Sequence, residues 1–149
     1  MLTQLIKSDI YYDKEKLEEF LRHFELSFII LHGSYVTGKE RRDSDIDLAL
    51  VKKKNSTKHD WFAAIDVLSE IFSNLENRDL DVKFMDKADP LFRNEVASAG
   101  LLLAGNPAEF EEYKAVSLRM FEDARGLFEL ESLLAKKTQD YLNQIVAHA

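Results

Sequence analysis

Two short motifs, Gly33-Ser34 and Asp45-Ile46-Asp47, combine residue types that phosphate chemistry uses. Alternation along a strand sends the side chains of residues i and i+2 to one face, so Asp45 and Asp47 are predicted to stand side by side. Two carboxylates held so close repel each other unless a hard divalent cation lies between them. Mg²⁺ prefers oxygen ligands from one or two carboxylates together with substrate phosphates. The pair therefore predicts a magnesium site that also binds a phosphorylated ligand.

The Gly33-Ser34 motif is suited to the phosphates of such a ligand. Gly33 has no side chain to block a phosphate, and the Ser34 hydroxyl and nearby backbone N–H groups can bind phosphate oxygens at the start of a helical turn. The loop that follows carries Lys39, Arg41 and Arg42, a cluster that could help to hold one small polyphosphate. No motif fixes which of these basic residues does so.

A third carboxylate, Asp81, is predicted on a later strand. If sequential strands pair, as they usually do, this strand lies beside the one that carries Asp45 and Asp47. Two divalent ions about 3.5 to 4 Å apart can share such carboxylates, one activating an attacking hydroxyl and the other neutralising the leaving phosphates. Asp81 is a weak candidate when taken alone, because Asp79 would point the same way. Taken together, the three aspartates predict a centre for two Mg²⁺ ions.

The charged residues also admit two other interpretations. The segment from Asp43 to Asp47 resembles the start of a calcium loop, but Leu48 stands where that loop needs glycine and Lys54 where it needs glutamate, so calcium is rejected. The cluster Lys52-Lys53-Lys54 can hold a small polyphosphate or can be a solvated strand end. Both interpretations of the lysine cluster remain open.

The pattern of apolar residues switches between helical and strand periods along the chain. It predicts helices over 13–25, 58–76 and 89–103, strands over 26–32, 45–52 and 80–85, and a short helical turn over 34–38. Asp13 is the expected N-cap of the first helix. His32 is interpreted as a packed strand-end residue and Trp61 as a core residue. Tyr35 either stacks near a base or caps the loop.

A long helical pattern occupies residues 108–146. At about 1.5 Å per residue an unbroken helix of this length exceeds the diameter of a small domain, so it must bend, with Gly126 as the natural point, or reach past the core. A helix that reaches past the core leaves apolar surface uncovered, which is a reason to expect a partner protein or a homodimer.

Composition sets broad limits on function. The 149 residues, 46% hydrophobic and 32% charged, are typical of one globular domain. A net charge of −7 argues against duplex nucleic acid as the main partner. The absence of cysteine excludes disulfides and thiolate metal sites. Neither a signal peptide nor an apolar run of about 20 residues is present, so we expect a cytoplasmic protein without membrane contact.

The spacing Gly33-Ser34, ten residues, Asp45-Ile46-Asp47 and a later Asp81 resembles the nucleotidyltransferase superfamily of DNA polymerase β. The resemblance covers residues 13 to about 105 and is strongest in the minimal bacterial and archaeal branch, whose small members are antitoxins encoded beside HEPN-domain ribonuclease toxins. It implies an α/β fold of the polymerase β type, with a small mixed sheet of three or four strands. Helices 13–25 and 58–76 are expected to cover one face, leaving the other open as the metal-bearing cleft. Residues 1–105 would form the nucleotidyltransferase core and residues 106–149 a helical extension of the same domain.

The resemblance also implies an activity, the transfer of AMP from ATP with release of pyrophosphate. In the antitoxin branch the acceptor is a tyrosine hydroxyl of the HEPN toxin, and the modification silences the nuclease. Asp45 and Asp47 would hold two Mg²⁺ ions, and Asp81 would complete the shell of the catalytic ion and help deprotonate the acceptor. Gly33 and Ser34 would bind the β- and γ-phosphates, with Lys39, Arg41 or Arg42 adding charge to the triphosphate pocket.

Two alternatives belong to other functional classes. A small-molecule adenylyltransferase, for example one acting on an aminoglycoside, would use the same metal site but needs a second substrate-binding domain, for which the residues after Gly105 leave little material. An antitoxin can also neutralise its toxin by contact alone, with the metal site idle.

Overall fold

The computed structural model describes residues 3–7, 10–41, 44–73, 75–76 and 78–149. Its helices and strands are, in chain order, β1 Thr3–Lys7, β2 Ile10–Asp13, α1 Lys14–His23, β3 Leu26–His32, α2 Ser34–Thr37, β4 Ile46–Lys52, α3 Trp61–Ile71, β5 Phe72–Ser73, β6 Leu80–Phe84, α4 Pro90–Ala99, β7 Leu101–Gly105 and α5 Pro107–Ala147, with one 3₁₀ turn at Met85–Lys87.

The central sheet has four strands in the order β6-β4-β3-β7. Strand β3 pairs antiparallel with both β4 and β7, whereas β4 and β6 are parallel because α3 lies in the connection between them. The predicted small mixed α/β sheet is thereby confirmed. A second, smaller sheet of β1, β2 and β5 was not predicted.

Helices pack against both faces of the central sheet. Helices α1 and α3 pack on one face through residues such as Leu17, Phe20 and Leu68, as expected. The other face was expected to be open, and this prediction was wrong in part. Val96 of α4 and Phe110 of α5 pack there against the sheet, so a second core covers this face.

Local signals explain where the helices begin and where one prediction failed. Asp13 caps α1 by accepting a hydrogen bond from the Lys16 N–H at 3.2 Å, as predicted.

The predicted helix 89–103 instead ends at Ala99, and the leucine run that follows forms β7. At Gly100 the chain passes so close to β3 that an added Cβ would lie 2.5 Å from Cγ2 of Ile30. The backbone can make this approach only with glycine, and the leucines then join the sheet.

Helix α5 is a single element of 41 residues that continues through Gly126. Its first turns are anchored in the core by Phe110 and Ser117, whereas every residue from 129 onward is exposed. The long helix was predicted either to bend at Gly126 or to reach past the core, and it reaches past the core. No helix in the described part of the chain is long and apolar enough to cross a membrane.

Candidate active site

The strand register brings the predicted aspartates to one end and one face of the central sheet. Asp47 pairs with Asp81 across the parallel β4–β6 ladder and with His32 across the antiparallel β3–β4 ladder. Directly paired residues share a face, so the three side chains lie on the side that α4 partly covers. Asp45 stands immediately before β4, two residues from Asp47. The register therefore places Asp81 beside Asp47, as the pairing of sequential strands predicts.

The electrostatics of Asp47 reflect this crowding. Burial raises the pKa of the Asp47 carboxyl, the Asp81 carboxylate raises it further, and Asp45 adds a smaller effect in the same direction. The Asp47 and Asp81 side chains are close enough to share a hydrogen bond when one is protonated. The positive charge of Lys83 opposes these effects and lowers the pKa of Asp47. The site thus concentrates negative charge that a cation would neutralise.

The carboxylates are not, however, gathered around one point. The Lys83 ammonium lies 3.8 Å from Oδ2 of Asp81, and Oδ1 of Asp45 accepts a hydrogen bond from the Asp79 N–H at 3.4 Å. Within the ranges that the structure describes, no three His, Cys, Asp or Glu side chains are arranged to hold a metal ion. Lys83 and the Asp79 backbone N–H are therefore the partners of two of these carboxylates. The donor set itself, all carboxylate oxygen, suits Mg²⁺.

Gly33 has a structural role that its sequence position did not reveal. Its backbone has φ of 78° and ψ of −150°, which side-chain-bearing residues rarely adopt. A Cβ built on it would lie 2.1 Å from Oδ2 of Asp47. The missing side chain therefore makes room for the Asp47 carboxylate itself, besides any phosphate that binds beside it.

Ser34 begins α2, the short turn predicted at this point. The N–H groups of Val36 and Thr37 both donate to the carbonyl of Gly33 at 3.1 Å, which closes the turn. The neighbouring Tyr35 is buried, and its hydroxyl donates to the Ser44 carbonyl at 3.2 Å and accepts from Arg78 at 3.3 Å. Tyr35 therefore caps the loop, the second of its two predicted roles, and connects α2 to the segments before Asp45 and before Asp79.

The basic residues divide into two groups. Lys39 and Arg41 have exposed side chains in the loop between α2 and β4, while Arg42 lies outside the described residues. Lys52 lies at the opposite end of β4 from Asp47, with its ammonium 4.5 Å from the ring centre of Phe84. At about 3.3 Å per strand residue, the lysine cluster that begins there is too distant to share a polyphosphate with the carboxylates. Neither interpretation of the lysine cluster, a separate polyphosphate site or a solvated strand end, is tested by this distance.

His32 is packed at the end of β3, as predicted, but with an unexpected feature. It is only 9% exposed and contacts Phe92 edge to face, with 5.8 Å between ring centres. Burial lowers the pKa of the imidazole, and the nearby Lys83 lowers it further. Its Nε2 is buried and has no hydrogen-bond partner within the described part of the chain. Sequence reasoning missed the importance of His32, Lys83 and Phe92, since their roles depend on pairing between distant segments.

Several solved structures contain chains of similar fold. A chain in a crystal structure of a toxin–antitoxin with AMP-PNP has a TM-score of 0.61 and 22% identity, with 85% of this chain and 98% of that chain covered. A chain in the complex of a tri-AMPylated Shewanella oneidensis HEPN toxin with an MNT antitoxin has a TM-score of 0.55 and 20% identity, covering 84% and 95%. A chain of the MntA-HepT toxin–antitoxin structure gives 0.55 and 19%, covering 84% and 96%. These similarities establish a shared fold.

Sequence comparison gives the family. No curated protein matches the chain. The family model described as Polymerase beta, Nucleotidyltransferase matches residues 15–109, a range that includes Gly33, Ser34 and all three aspartates of the site. Because this range is well over half of the chain, the protein belongs to the polymerase β nucleotidyltransferase family.

Proposed function

We propose that this nucleotidyltransferase moves AMP from ATP to a tyrosine hydroxyl of a HEPN-type toxin and so acts as its antitoxin. The observation that carries the proposal is the convergence of the Asp47 and Asp81 carboxylates beside Gly33. The family assignment and the fold shared with chains of toxin–antitoxin complexes, one of them with a tri-AMPylated toxin, support it.

The reaction assigns a task to each residue. The acceptor oxygen attacks the α-phosphorus of ATP, the bond from that phosphorus to the α–β bridging oxygen breaks, and pyrophosphate leaves. Asp81 accepts the proton of the attacking hydroxyl as general base. Gly33 and Ser34 hold the β- and γ-phosphates, and Lys39 or Arg41 adds positive charge from the loop.

Asp45, Asp47 and Asp81 are the residues that would hold Mg²⁺. Bound Mg²⁺ supplies charge neutralisation for the phosphates and activation of the attacking hydroxyl.

The exposed half of α5 supports a protein partner. Apolar side chains recur there at helical spacing along one side, and each is between 49% and 63% exposed. We call this surface the α5 stripe; it consists of Leu127, Leu130, Leu134, Tyr141 and Ile145. It spans roughly 27 Å along the helix at 1.5 Å per residue. An apolar row of that length is typical of protein contact surfaces.

Incubation with Mg²⁺, ATP labelled in the α-phosphate and the HEPN protein encoded by a neighbouring gene tests the proposal. The toxin should become labelled, a toxin whose acceptor tyrosine is replaced by phenylalanine should not, and the Asp45→Asn/Asp47→Asn variant should give no label. Labelling of an aminoglycoside in place of the toxin would contradict the proposal. Toxin neutralisation that survives the double substitution would instead favour inhibition by contact alone.

A further inference from the structure

The two edges of the central sheet differ in how they are covered. Strand β7 forms one edge, and side chains of α1 bond to its outer backbone groups. The Lys14 ammonium donates to the Leu103 carbonyl, and Glu18 accepts from the Gly105 N–H at 3.3 Å. Strand β6 forms the other edge, and within the described ranges only β4 pairs with it. An edge strand without a partner is ready to pair with another chain, so the β6 edge is a candidate docking surface.

The hydrogen bonds of β6 reveal which of its backbone groups point outward. The Asp79 carbonyl accepts from the Ile46 N–H at 2.9 Å, at the start of the parallel ladder with β4. The N–H and C=O of one residue point to the same side of a strand, and this side alternates from residue to residue. Asp81 therefore bonds towards β4, as Asp79 does. The N–H and C=O groups of Val82 and Phe84 point away from the sheet.

The proposed general base projects from this same strand. In the proposed function, on which this inference rests, the acceptor hydroxyl must reach Asp81. The Asp81 side chain is 46% exposed, and that of Lys83, on the same face, is 49% exposed. A strand added to β6 would lie about 4.8 Å away, and diagonal neighbours across two strands are about 7–8 Å apart, within reach of an aromatic side chain. A tyrosine in such a strand can therefore bring its hydroxyl to the Asp81 carboxylate.

Helix α5 leads towards the same edge. It starts after β7, at the covered edge of the sheet, and its Phe121 shares a cavity of about 410 Å³ with Leu91 at the start of α4. The next residue, Phe92, lies over β6, with 5.4 Å between its ring centre and the Lys83 ammonium. The exposed half of α5 therefore continues on the β6 side of the sheet. A protein held on the α5 stripe has its nearest segments at this edge.

We propose that the acceptor segment of the partner protein binds to the β6 edge as an additional, extended strand. Its backbone pairs with the outward N–H and C=O groups of Val82 and Phe84, and its tyrosine lies on the face that carries Asp81. The Lys83 ammonium on that face favours a segment with an acidic residue near the tyrosine. Pairing of this kind selects a peptide acceptor, because a small molecule has no backbone to add to the sheet.

A proline at position 82 tests the pairing on the full chain. Val82→Pro removes an outward N–H and keeps the bonds to β4, since proline is tolerated on an edge strand whose N–H faces solvent. The KM for the toxin in the labelling assay should rise about tenfold or more, because one hydrogen bond is lost and the proline ring obstructs the added strand. The KM for ATP should stay unchanged. Val82→Ala keeps the N–H and is the matched control for the lost side chain, with a toxin KM within about twofold of the wild type.

Amide hydrogen exchange of the wild-type chain, with and without toxin, measures the pairing directly. The amides of Asp81 and Lys83 bond to β4 and should exchange slowly in both states. Those of Val82 and Phe84 should exchange fast in the free chain and slowly in the complex. Toxin bound at another surface would not protect these two amides.

The contrary outcomes separate this inference from the proposed function. If the wild type labels no toxin, the transferase proposal and this inference both fail. If the wild type labels the toxin and Val82→Pro leaves the toxin KM unchanged, or Val82→Ala raises it equally, only the assignment of the β6 edge is overturned. Outward amides that stay unprotected in the toxin complex also overturn it, even where Val82→Pro does not fold.

Discussion

At the scale of single residues, Gly33 can be tested against Gly38. Both have φ of 78°, but only at Gly33 would a Cβ meet another atom, Oδ2 of Asp47 at 2.1 Å. Gly38→Ala should cost about 1–2 kcal/mol of unfolding free energy from backbone strain alone. Gly33→Ala should cost more than about 3 kcal/mol and abolish transfer, because its ψ of −150° lies in a region nearly restricted to glycine, unlike the ψ of 13° at Gly38, and the steric conflict adds to that strain. Urea denaturation and the labelling assay measure the two effects.

A double-mutant cycle isolates the contact between Gly33 and Asp47. If the conflict with the carboxylate is the cause, Gly33→Ala should destabilise the Asp47→Ala background clearly less than the wild type. Equal costs in both backgrounds would mean that strain alone explains the effect and that Gly33 does not make room for Asp47.

Asp47→Asn should remove activity and yet stabilise the protein in the absence of Mg²⁺. Because the folded-state pKa of Asp47 is raised, its ionised form is disfavoured by folding. The penalty is absent below the ordinary aspartate pKa of about 3.9, appears as the pH rises, and is complete above the raised folded-state value. Solvent screening of this partly exposed group limits the gain at pH 7 to about 1 kcal/mol, or roughly 2–4 °C in Tm.

Thermal denaturation with and without Mg²⁺ checks this prediction. The gain for Asp47→Asn should shrink as the pH falls from 7 towards 4, and added Mg²⁺ should stabilise the wild type more than the variant. A variant that is less stable than the wild type at pH 7 without Mg²⁺ would contradict the carboxylate repulsion inferred at this site.

Some positions in the site follow from rules of strand pairing, and others depend on packing that the sequence does not reveal. The positions of Asp45, Asp47 and Asp81 at two adjacent strands were predictable, because side chains alternate along a strand and sequential strands usually pair. Strand alternation puts Lys83 on the same face as Asp81, but it does not predict the contact between the Lys83 ammonium and the Asp81 carboxylate. Phe92 comes from α4, whose position over β3 follows from packing, so its contact with His32 has no local signal in the sequence.

At the scale of secondary structure, α2 and the loop before Asp45 act as one unit through Tyr35. Its hydroxyl bridges the Ser44 carbonyl and Arg78, so Tyr35→Phe removes both hydrogen bonds and keeps the buried ring. We expect a loss of about 0.5–1.5 kcal/mol for each hydrogen bond removed and a lower kcat, because Asp45 loses part of its support. Denaturation and steady-state labelling measure the two quantities.

Tyr11→Phe is the control for that substitution, since Tyr11 lies exposed on β2, away from the site. It should leave both stability and kcat close to the wild-type values. A Tyr35→Phe enzyme with unchanged kcat would mean that the loop is held by other contacts.

Helices and strands were predicted correctly where the spacing of apolar residues fits only one of these two structures. Strand β3 has the predicted bounds because its apolar run is short and ends at a glycine. The leucine run of β7 fits a helix or a strand equally well, and only the close approach of Gly100 to Ile30 decides for the strand. The hairpin β1–β2 lacks the Asn-Gly or Asp-Gly turn signal that would have revealed it.

In the molecule as a whole, the α5 stripe lies away from the carboxylate site, so substitutions there should affect partner binding and leave catalysis intact. Its residues lie beyond the segment that packs on the core, so replacing them should not disturb the nucleotide site. Leu134→Lys with Tyr141→Lys puts two charges into the apolar row and should weaken toxin binding more than tenfold, while affinity for α,β-methylene-ATP, an analogue whose α–β bridge cannot be cleaved, stays unchanged. Titration of the toxin and of the nucleotide into the same variant measures both.

Gln139→Lys with Asn143→Lys provides the matched control, with two added charges on the same exposed part of α5. Residue 143 follows 141 by about 200° around the helix, so these positions lie away from the stripe. The control should bind toxin within about twofold of the wild type, since that is within the usual effect of a surface substitution. If both variants bind toxin equally well, the toxin contacts another surface and α5 has a different partner. If only the stripe variant fails, labelling of the toxin should fall at low toxin concentration and recover at high concentration, because the chemistry at Asp47 and Asp81 is intact.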